Sequence, residues 1–403
     1  MQRYTFARNT GTIVAASVAG PGQKPRQVVV KVKNNTVVAV EQVKPKAPVT
    51  AESGWDLIQV PDEQLLIPAF IDCHVHLVLD GINGFNGFNG PAPYHLIQSR
   101  LENMLHAGIV AVRDGSDRYN SAWAYQSYAK RNNQSPLPYI VTTGQAIFRQ
   151  GHYGMKLGEY GITNVSQAET IIRRLKKMGT NQVKVVLSGL VSLNNPGSVG
   201  PVQFNEQEMA FIVSTARKHG LPVMVHASSD RAIQVAVGAG AHTIEHGYYV
   251  TDESLKRMAD KRVAWVPTVA PMAALAERFA AGGEGKKADI ARQAVEQQLS
   301  MMARAHAYGV TLGVGTDAGS PGVSWDKGYY EELMFFEKAG LPPHAILESA
   351  TKNGASLLGL SHELGTIEVG KQPCWLAVKP DFLAFKNPKL YPQALFCPEG
   401  SLK

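Results

Sequence analysis

The sequence is poor in cysteine, in long apolar runs and in excess charge of one sign. Its three cysteines, Cys73, Cys374 and Cys397, are so scattered that they form neither a CxxC site nor a disulfide framework. No apolar run approaches the ~20 residues that a membrane-spanning helix needs. From these absences we expect a cytoplasmic protein that has no membrane partner.

The net charge is only +7, from 40 Lys and Arg against 33 Asp and Glu, and the basic residues are spread along 403 positions. The densest basic cluster, residues 173–177, has the spacing of a solvated helix face. No recognised nucleic-acid module accompanies it, so we expect no nucleic-acid partner. A small-molecule substrate is the expected partner, and a homo-oligomer stays open. The composition is that of a globular protein long enough to bury a substantial core.

Between about residues 65 and 358, apolar strand-like runs alternate with segments whose apolar residues recur at helical spacing. The predicted strands are 67–77, 109–113, 139–143, 182–187, 221–226, 242–246, 263–269 and 311–317. The predicted helices are 96–107, 166–178, 206–219, 230–238, 252–260 and 287–308. Strands that are apolar throughout must be covered on both faces. The pattern therefore predicts an α/β fold, a closed (β/α)8 TIM-type barrel over residues 67–358.

The two ends of the chain have a different pattern, with short strands and turns before the barrel and after it. We predict that residues 1–66 and 359–403 together build one small β-rich domain beside the barrel. A loop rich in glycine, asparagine and phenylalanine follows the first barrel strand. Because Phe85, Phe88 and Tyr94 offer apolar area near the strand ends, we expect residues 81–94 to form a pocket wall or lid.

In a barrel of this kind, residues at the carboxyl ends of the strands face the active site. The first strand ends with Asp72, Cys73, His74, Val75 and His76. Alternation along a strand places the aspartate and both histidines on one side. Two imidazoles separated by one residue suit a metal centre. The aspartate next to them is expected to orient or pack rather than to react.

Three more predicted strands end with a histidine or an aspartate, which are also residue types that bind metal ions. His226 ends the fifth strand, His246 the sixth and Asp317 the eighth. A single histidine in such a place is more often a hydrogen-bonded core residue, but four strand ends of this kind together predict a metal site. A buried carboxylate without a partner is costly, so Asp317 should meet a cation.

Lys184 lies inside the fourth strand, within a run otherwise fit for full burial. Burial lowers the pKa of a lysine from ~10.4 towards neutrality. A neutral amine can react with CO2 to give a carbamate, an anion able to bridge two metal ions. The alternative is a lysine whose amino group extends to the barrel mouth.

Together these residues resemble the amidohydrolase superfamily. The segment IPAFIDCHVHL resembles that family's entry to the barrel. The segments that resemble its imidazolonepropionase-like branch, which contains Xaa-Pro dipeptidases and arginine carboxypeptidases, are IVAVRDG, VKVVLSG, HTIEHG, VGTDAG and LGTIEVGK. The resemblance covers essentially the whole chain. It implies that the terminal domain is a small β-sandwich.

The resemblance also implies a centre of two metal ions, usually zinc. The matching ligand positions are His74, His76, Lys184, His226, His246 and Asp317. The first two histidines and the aspartate would hold one ion, the other two histidines would hold the second, and the carbamylated lysine would bridge them. The loop Arg149-Gln150-Gly151-His152 resembles a family loop after the third strand.

We therefore expect a hydrolase that cleaves an amide, peptide or cyclic amide C–N bond. A metal-bridging hydroxide attacks the carbonyl, and Asp317 serves as general base and then general acid. His152 is a candidate for stabilising the oxyanion, with a surface loop histidine as the alternative. The same centre could act on a lactone, on a phosphotriester or in ring deamination. A non-catalytic binding or assembly protein is a remote alternative, since all six ligand positions are intact.

The sequence differs from the peptidase-like members just after the fourth and the fifth predicted strands. Those members commonly carry His-Ala-Tyr after the fifth strand, where the tyrosine helps to hold the substrate's α-carboxylate, but this chain has Ser228. Leu190 interrupts the Gly-Gly pair expected after the fourth strand. Both departures predict that simple dipeptides are poor substrates.

Overall fold

The computed structural model describes residues 1–6, 11–20, 25–44, 48–50, 52–81, 90–132, 138–387 and 389–398. The strands are β1 (Gln2–Phe6), β2 (Gly11–Val18), β3 (Arg26–Lys33), β4 (Thr36–Gln42), β5 (Trp55–Gln59), β6 (Leu65–Pro68), β7 (Phe70–Val75), β8 (Ile109–Asp114), β9 (Tyr139–Thr142), β10 (Val183–Val186), β11 (Val223–Ala227), β12 (Thr243–His246), β13 (Ala264–Val266), β14 (Trp375–Val378) and β15 (Ala394–Pro398). The helices are α1 (Tyr94–His106), α2 (Ser121–Arg131), α3 (Gln167–Met178), α4 (Glu206–Lys218), α5 (Asp230–Ala239), α6 (Asp252–Lys261), α7 (Ala270–Ala281), α8 (Gly285–Ala307), α9 (Lys327–Lys338), α10 (Pro343–Glu348) and α11 (Gly354–Leu358). The α/β class predicted from the sequence is confirmed.

Two parallel sheets form the centre of the molecule. One has the order β7-β8-β9 and the other the order β10-β11-β12-β13, and every pairing within them is parallel. Their residues are buried except Tyr139, which is half-buried. Valine, isoleucine and alanine dominate these strands, which fits sheets covered on both faces.

The predicted eighth strand, residues 311–317, forms no regular strand. Instead Leu312 makes a single bridge to Trp265 of β13, and Ala318 makes one to Val75 of β7. Two glycines and a left-handed backbone at Asp317 (φ 54°) prevent a regular ladder here. This segment nevertheless connects an edge strand of one sheet to an edge strand of the other.

A second connection lies at the opposite edges of the two sheets. Ile147, in the loop after β9, pairs with Val185 of β10. Its amide donates to the Lys184 carbonyl and its carbonyl accepts from the Val186 amide, each at 2.9 Å. A closed eight-stranded barrel stays a prediction, which these two connections favour.

The chain ends meet in one eight-stranded sheet of order β1-β15-β14-β6-β2-β3-β4, with β5 beside β2. Its strands come from both ends of the sequence, as expected for a composite β-rich unit. A separate apolar cluster packs on this sheet and includes Val14, Val30, Trp375 and Phe396. The domain boundaries and the two-sheet sandwich stay predictions.

The helices flank the parallel sheets, and α4, α5 and α6 each begin with a side-chain cap. Before α4, the Asn205 side chain accepts from the Glu208 amide at 2.9 Å, and the Glu208 carboxylate accepts from the Asn205 amide at 3.0 Å. Within the described ranges, no helix has both the length and the apolar character that crossing a bilayer requires.

Candidate metal centre

His74 near the end of β7, His76 just after it and Asp317 in the irregular segment come together in the structure. Oδ1 of Asp317 lies 3.5 Å from Nε2 of His74 and 3.3 Å from Nε2 of His76. One potential ligand atom from each residue lies within 4.8 Å of the others, and all three side chains are buried. The sequence prediction that these three residues share one site agrees with this geometry.

The backbone holds Asp317 in an unusual conformation to achieve this. Its amide donates to the His74 carbonyl at 2.7 Å, and Ser320 Oγ donates to its Oδ2 at 2.9 Å. Nine non-glycine residues of the described chain have a left-handed φ, and four of them belong to the cluster or contact a histidine of it: Asp317 (54°), His246 (68°), Ser116 (93°) and Thr268 (51°). Such backbone strain in non-glycine residues often occurs at functional sites.

The outward nitrogens of His74 and His76 are both occupied. Nδ1 of His74 lies 2.8 Å from Oε2 of Glu245, and Nδ1 of His76 lies 3.1 Å from the Ser116 carbonyl oxygen. Carboxylate and carbonyl oxygens only accept, so both Nδ1 atoms donate. This tautomer leaves the lone pair of each Nε2 facing Asp317, which is the arrangement of a metal-ligating histidine.

His226 at β11 and His246 at β12 extend the cluster. Their ring centroids are 4.5 Å apart, and the His246 ring is 5.1 Å from that of His74. His246 Nδ1 lies 2.7 Å from Thr268 Oγ1, and His226 Nε2 lies 3.4 Å from the Gly189 carbonyl oxygen. Each ring thus has one bonded nitrogen and a second nitrogen left for another partner.

The protonation states suit metal binding. Burial lowers the pKa of His74 and of His246 well below the usual histidine value, and lowers that of His226 to about 4. Burial acts to raise the pKa of Asp317, but the positive charge that His74 and His76 carry when protonated outweighs it and lowers that pKa to about 2. Neutral imidazoles and an ionised carboxylate are the forms that coordinate a metal ion.

Lys184 lies on β10 and is 1% exposed, which argues against an amino group extended into solvent. Burial lowers its pKa to about 8, although the carboxylates of Glu245 and Asp317 act to raise it. A fraction of the amine is therefore neutral at physiological pH, as carbamate formation requires. The carbamate itself stays a prediction.

Two observations independent of any resemblance fit a metal ion at this cluster. His74 Nε2 and Asp317 Oδ1 are buried and have no hydrogen-bond partner among the described residues, which is costly for polar atoms unless something else binds them. A Cβ added at Gly115 would lie 2.9 Å from both His74 Nε2 and His76 Cε1. The glycine thus keeps a space open beside the unpartnered atoms.

The other two residues singled out in the sequence, Asp72 and His152, lie in different surroundings. Asp72 is fully buried and accepts from the His74 amide at 3.1 Å and from Thr316 Oγ1 at 2.7 Å, so it ties β7 to the irregular segment, as an orienting residue would. His152 is half-buried, and within the described chain its side chain makes no hydrogen bond that would place it in the site. Its neighbour Tyr153 instead has its ring 5.4 Å from that of His226. The role of His152 stays a prediction.

Sequence reasoning missed a buried ion pair beneath the cluster. Arg113 of β8 and Glu245 of β12 are both fully buried, with Nη2 and Oε1 2.9 Å apart. The signal was present, because each is a charged residue inside an otherwise apolar strand. Tyr248 was also missed, and its ring stacks 6.1 Å from that of His246.

The predicted pocket wall at residues 81–94 falls mostly outside the described part of the chain. Phe85 and Phe88 lie there, so their part in the prediction is not tested. Tyr94 begins α1 and packs its ring 5.7 Å from that of Tyr125 and 4.9 Å from that of Tyr128. These contacts fix the end of the loop against α2.

Comparisons with known proteins agree with this chemistry. A model of the amidohydrolase family matches residues 65–394. Ochratoxinase from Aspergillus niger is 25% identical over 362 residues, covering 81% of this chain and 73% of that protein. Imidazolonepropionase from Sphingopyxis alaskensis is 30% identical over 181 residues, which is 44% of this chain and 40% of that protein. The crystal structure of a Xaa-Pro dipeptidase with bound methionine in the active site has a similar fold, with a TM-score of 0.81 at 21% identity over 95% of this chain and 100% of that one.

Proposed function

Since the chain belongs to the amidohydrolase family, we propose that it is a metal-dependent hydrolase that cleaves an amide, peptide or cyclic amide C–N bond. The observation that carries the proposal is the group formed by His74, His76 and Asp317, in which two buried ligand atoms have no hydrogen-bond partner among the residues that the structure describes. Relatives named ochratoxinase, imidazolonepropionase and Xaa-Pro dipeptidase support a hydrolase of this kind.

Two zinc ions are the proposed cofactor, because imidazole nitrogen and carboxylate oxygen are ligands that zinc commonly takes. His74, His76 and Asp317 would hold one ion, and the paired rings of the other two histidines would hold the second. Lys184, as a carbamate, would bridge them. When bound, such ions would supply a water of lowered pKa and polarise the carbonyl of the substrate.

Asp317 is the proposed general base and then general acid. Its pKa of about 2 means that the carboxylate is ionised in neutral solution, and it can accept a proton at Oδ1. Ser320 Oγ binds Oδ2, so the carboxylate is held with Oδ1 towards the histidines. From this position Asp317 would pass the proton to the leaving nitrogen. His152, carried by the loop after β9, is proposed to stabilise the oxyanion.

Metal analysis combined with a substrate screen tests the proposed function. We expect the purified protein to contain zinc and to hydrolyse at least one N-acyl amino acid, dipeptide or cyclic amide. A chelator should abolish this activity and added zinc should restore it. Equal activity without metal would contradict the proposal, as would turnover confined to lactones, phosphotriesters or ring amines.

Dipeptides with a free carboxylate should be poorer substrates than their C-terminal amides. Ser228 stands where a carboxylate-holding tyrosine is expected, and it is buried with its amide donating to Ser188 Oγ at 2.9 Å. Its short neutral side chain cannot reach as far as a tyrosine. We expect kcat/KM below about 10⁴ M⁻¹s⁻¹ for Xaa-Pro and Xaa-Arg dipeptides, with higher values for the matched amides.

The control for this experiment is Ser228→Ala. If Ser228 does not bind the carboxylate, the ratio of amide to acid turnover should be the same in the variant as in the native protein. Efficient hydrolysis of the free acids would show that another side chain holds the carboxylate, and the expectation would be wrong.

A further inference from the structure

Glu245 joins the metal centre to the buried guanidinium of Arg113. Arg113 Nη2 donates to Glu245 Oε1 at 2.9 Å and to Oε2 at 3.1 Å, and the same Oε2 accepts from His74 Nδ1 at 2.8 Å. Both members of the ion pair are 0% exposed. The three groups therefore form a continuous arginine–carboxylate–imidazole chain that ends at a proposed metal ligand.

The Arg113 guanidinium donates hydrogen bonds to groups on, or next to, three other strands. Its Nε donates to the Cys73 carbonyl of β7 at 2.6 Å. Its Nη1 donates to Thr243 Oγ1 of β12 at 3.0 Å and to Gln182 Oε1, just before β10, at 3.1 Å. These bonds connect both parallel sheets, so the carboxylate of Glu245 has little freedom to turn away from His74.

The four histidines differ in the partner of their bonded nitrogen. For His74 that partner is the carboxylate of Glu245, whereas His76 and His226 contact backbone carbonyls and His246 contacts a threonine hydroxyl. Among these contacts in the described chain, His74 alone has an ion as its partner. A carboxylate bonded to the outer nitrogen fixes the tautomer of a ligating histidine and makes its free nitrogen a stronger donor.

We propose that Glu245, held in place by Arg113, is a positioning residue of the metal centre that locks His74 with Nδ1 protonated and Nε2 directed at the ion. This inference rests on the proposed function, since it concerns how tightly the cluster binds a metal. A merely structural ion pair would behave differently, because replacing both partners of a buried pair with neutral side chains is often neutral for stability and would leave metal affinity unchanged.

The first test is zinc binding by Glu245→Gln and by the double variant Glu245→Gln with Arg113→Met. The double variant removes the arginine charge that the single variant leaves unpaired, so it keeps the test interpretable if the single variant is unstable. We expect the zinc Kd, measured by competition with a chelator, to rise about 10- to 100-fold in both variants.

The matched control is Glu332→Gln. Glu332 is also a fully buried glutamate, but its carboxylate accepts from the backbone amides of Val269 and Ala270, each at 2.9 Å, and not from a histidine. Zinc affinity should stay at the native value in this variant, even if thermal stability falls.

The second test needs no change at position 245. In the metal-free native protein with ¹⁵N-labelled histidine, the His74 resonances, assigned with a His74→Gln sample, should report a protonated Nδ1 and an unprotonated Nε2. The opposite tautomer would overturn the inference, as would native zinc affinity in both Glu245 variants, and the proposed function would survive either result. If the native protein binds no metal at all, the proposed function fails and the inference falls with it.

Discussion

Replacing Lys184 with alanine is expected to lower activity by several orders of magnitude. If the side chain carries a carbamate, the variant loses the only ligand shared by both ions, and occupancy of at least one zinc position should fall. The fold should largely survive, because the substitution removes a polar group that is 1% exposed and costly to bury. Zinc content, turnover and thermal unfolding of the variant give the result.

Added carboxylate distinguishes a missing bridge from general damage to the site. Acetate or propionate presents the same two oxygens as a carbamate, so it should partly restore zinc content and turnover in Lys184→Ala. Lys184→Arg should not respond, because a guanidinium stays charged and cannot take up CO2. An alanine variant that binds two zinc ions and works like the native enzyme would show that Lys184 has no bridging role.

The positions of the proposed metal ligands were predictable because their signal is local. His226 and Asp317 each end an apolar run, and the position of such a run fixes where its last side chain points in a parallel sheet. The irregular course of residues 311–318 was not predictable in the same way. Its apolar residues suggested an ordinary strand, whereas the two glycines and the left-handed Asp317 give single bridges in place of a ladder.

The Arg113–Glu245 ion pair could not be predicted from the sequence pattern around either residue. The two residues are 132 positions apart, and each taken alone is a charged residue in an unfavourable place. The burial of each is explained by its ion-pair partner, and only the fold brings the two residues together. The same holds for Tyr153 and Tyr248, whose rings approach His226 and His246 from two different loops. Binding residues are often carried by loops, so a substrate is harder to predict from the sequence than the position of a site at the strand ends.

Gly115→Ala should remove zinc from the cluster of His74, His76 and Asp317 while the protein stays folded. The added methyl group would lie 2.9 Å from His74 Nε2 and from His76 Cε1, closer than atoms normally approach, so the rings must move and the open space beside them is lost. The backbone φ at Gly115 is not left-handed, so alanine adds no backbone strain there and the effect comes from the side-chain contact alone. Displacing reacting groups by about 1 Å costs about 100-fold in rate, and losing an ion should cost more.

The control for this change is Gly238→Ala in α5, where an added Cβ meets no atom within 4 Å. That variant should keep native zinc content and gain up to about 1 kcal/mol of stability, because alanine favours a helix more than glycine does. Carboxylate that rescues Lys184→Ala should fail with Gly115→Ala, since the obstruction remains when the anion is supplied. Full zinc content and native turnover in Gly115→Ala would mean that the ion does not occupy the space beside His74 Nε2, and the assignment of His74 and His76 as ligands would be wrong.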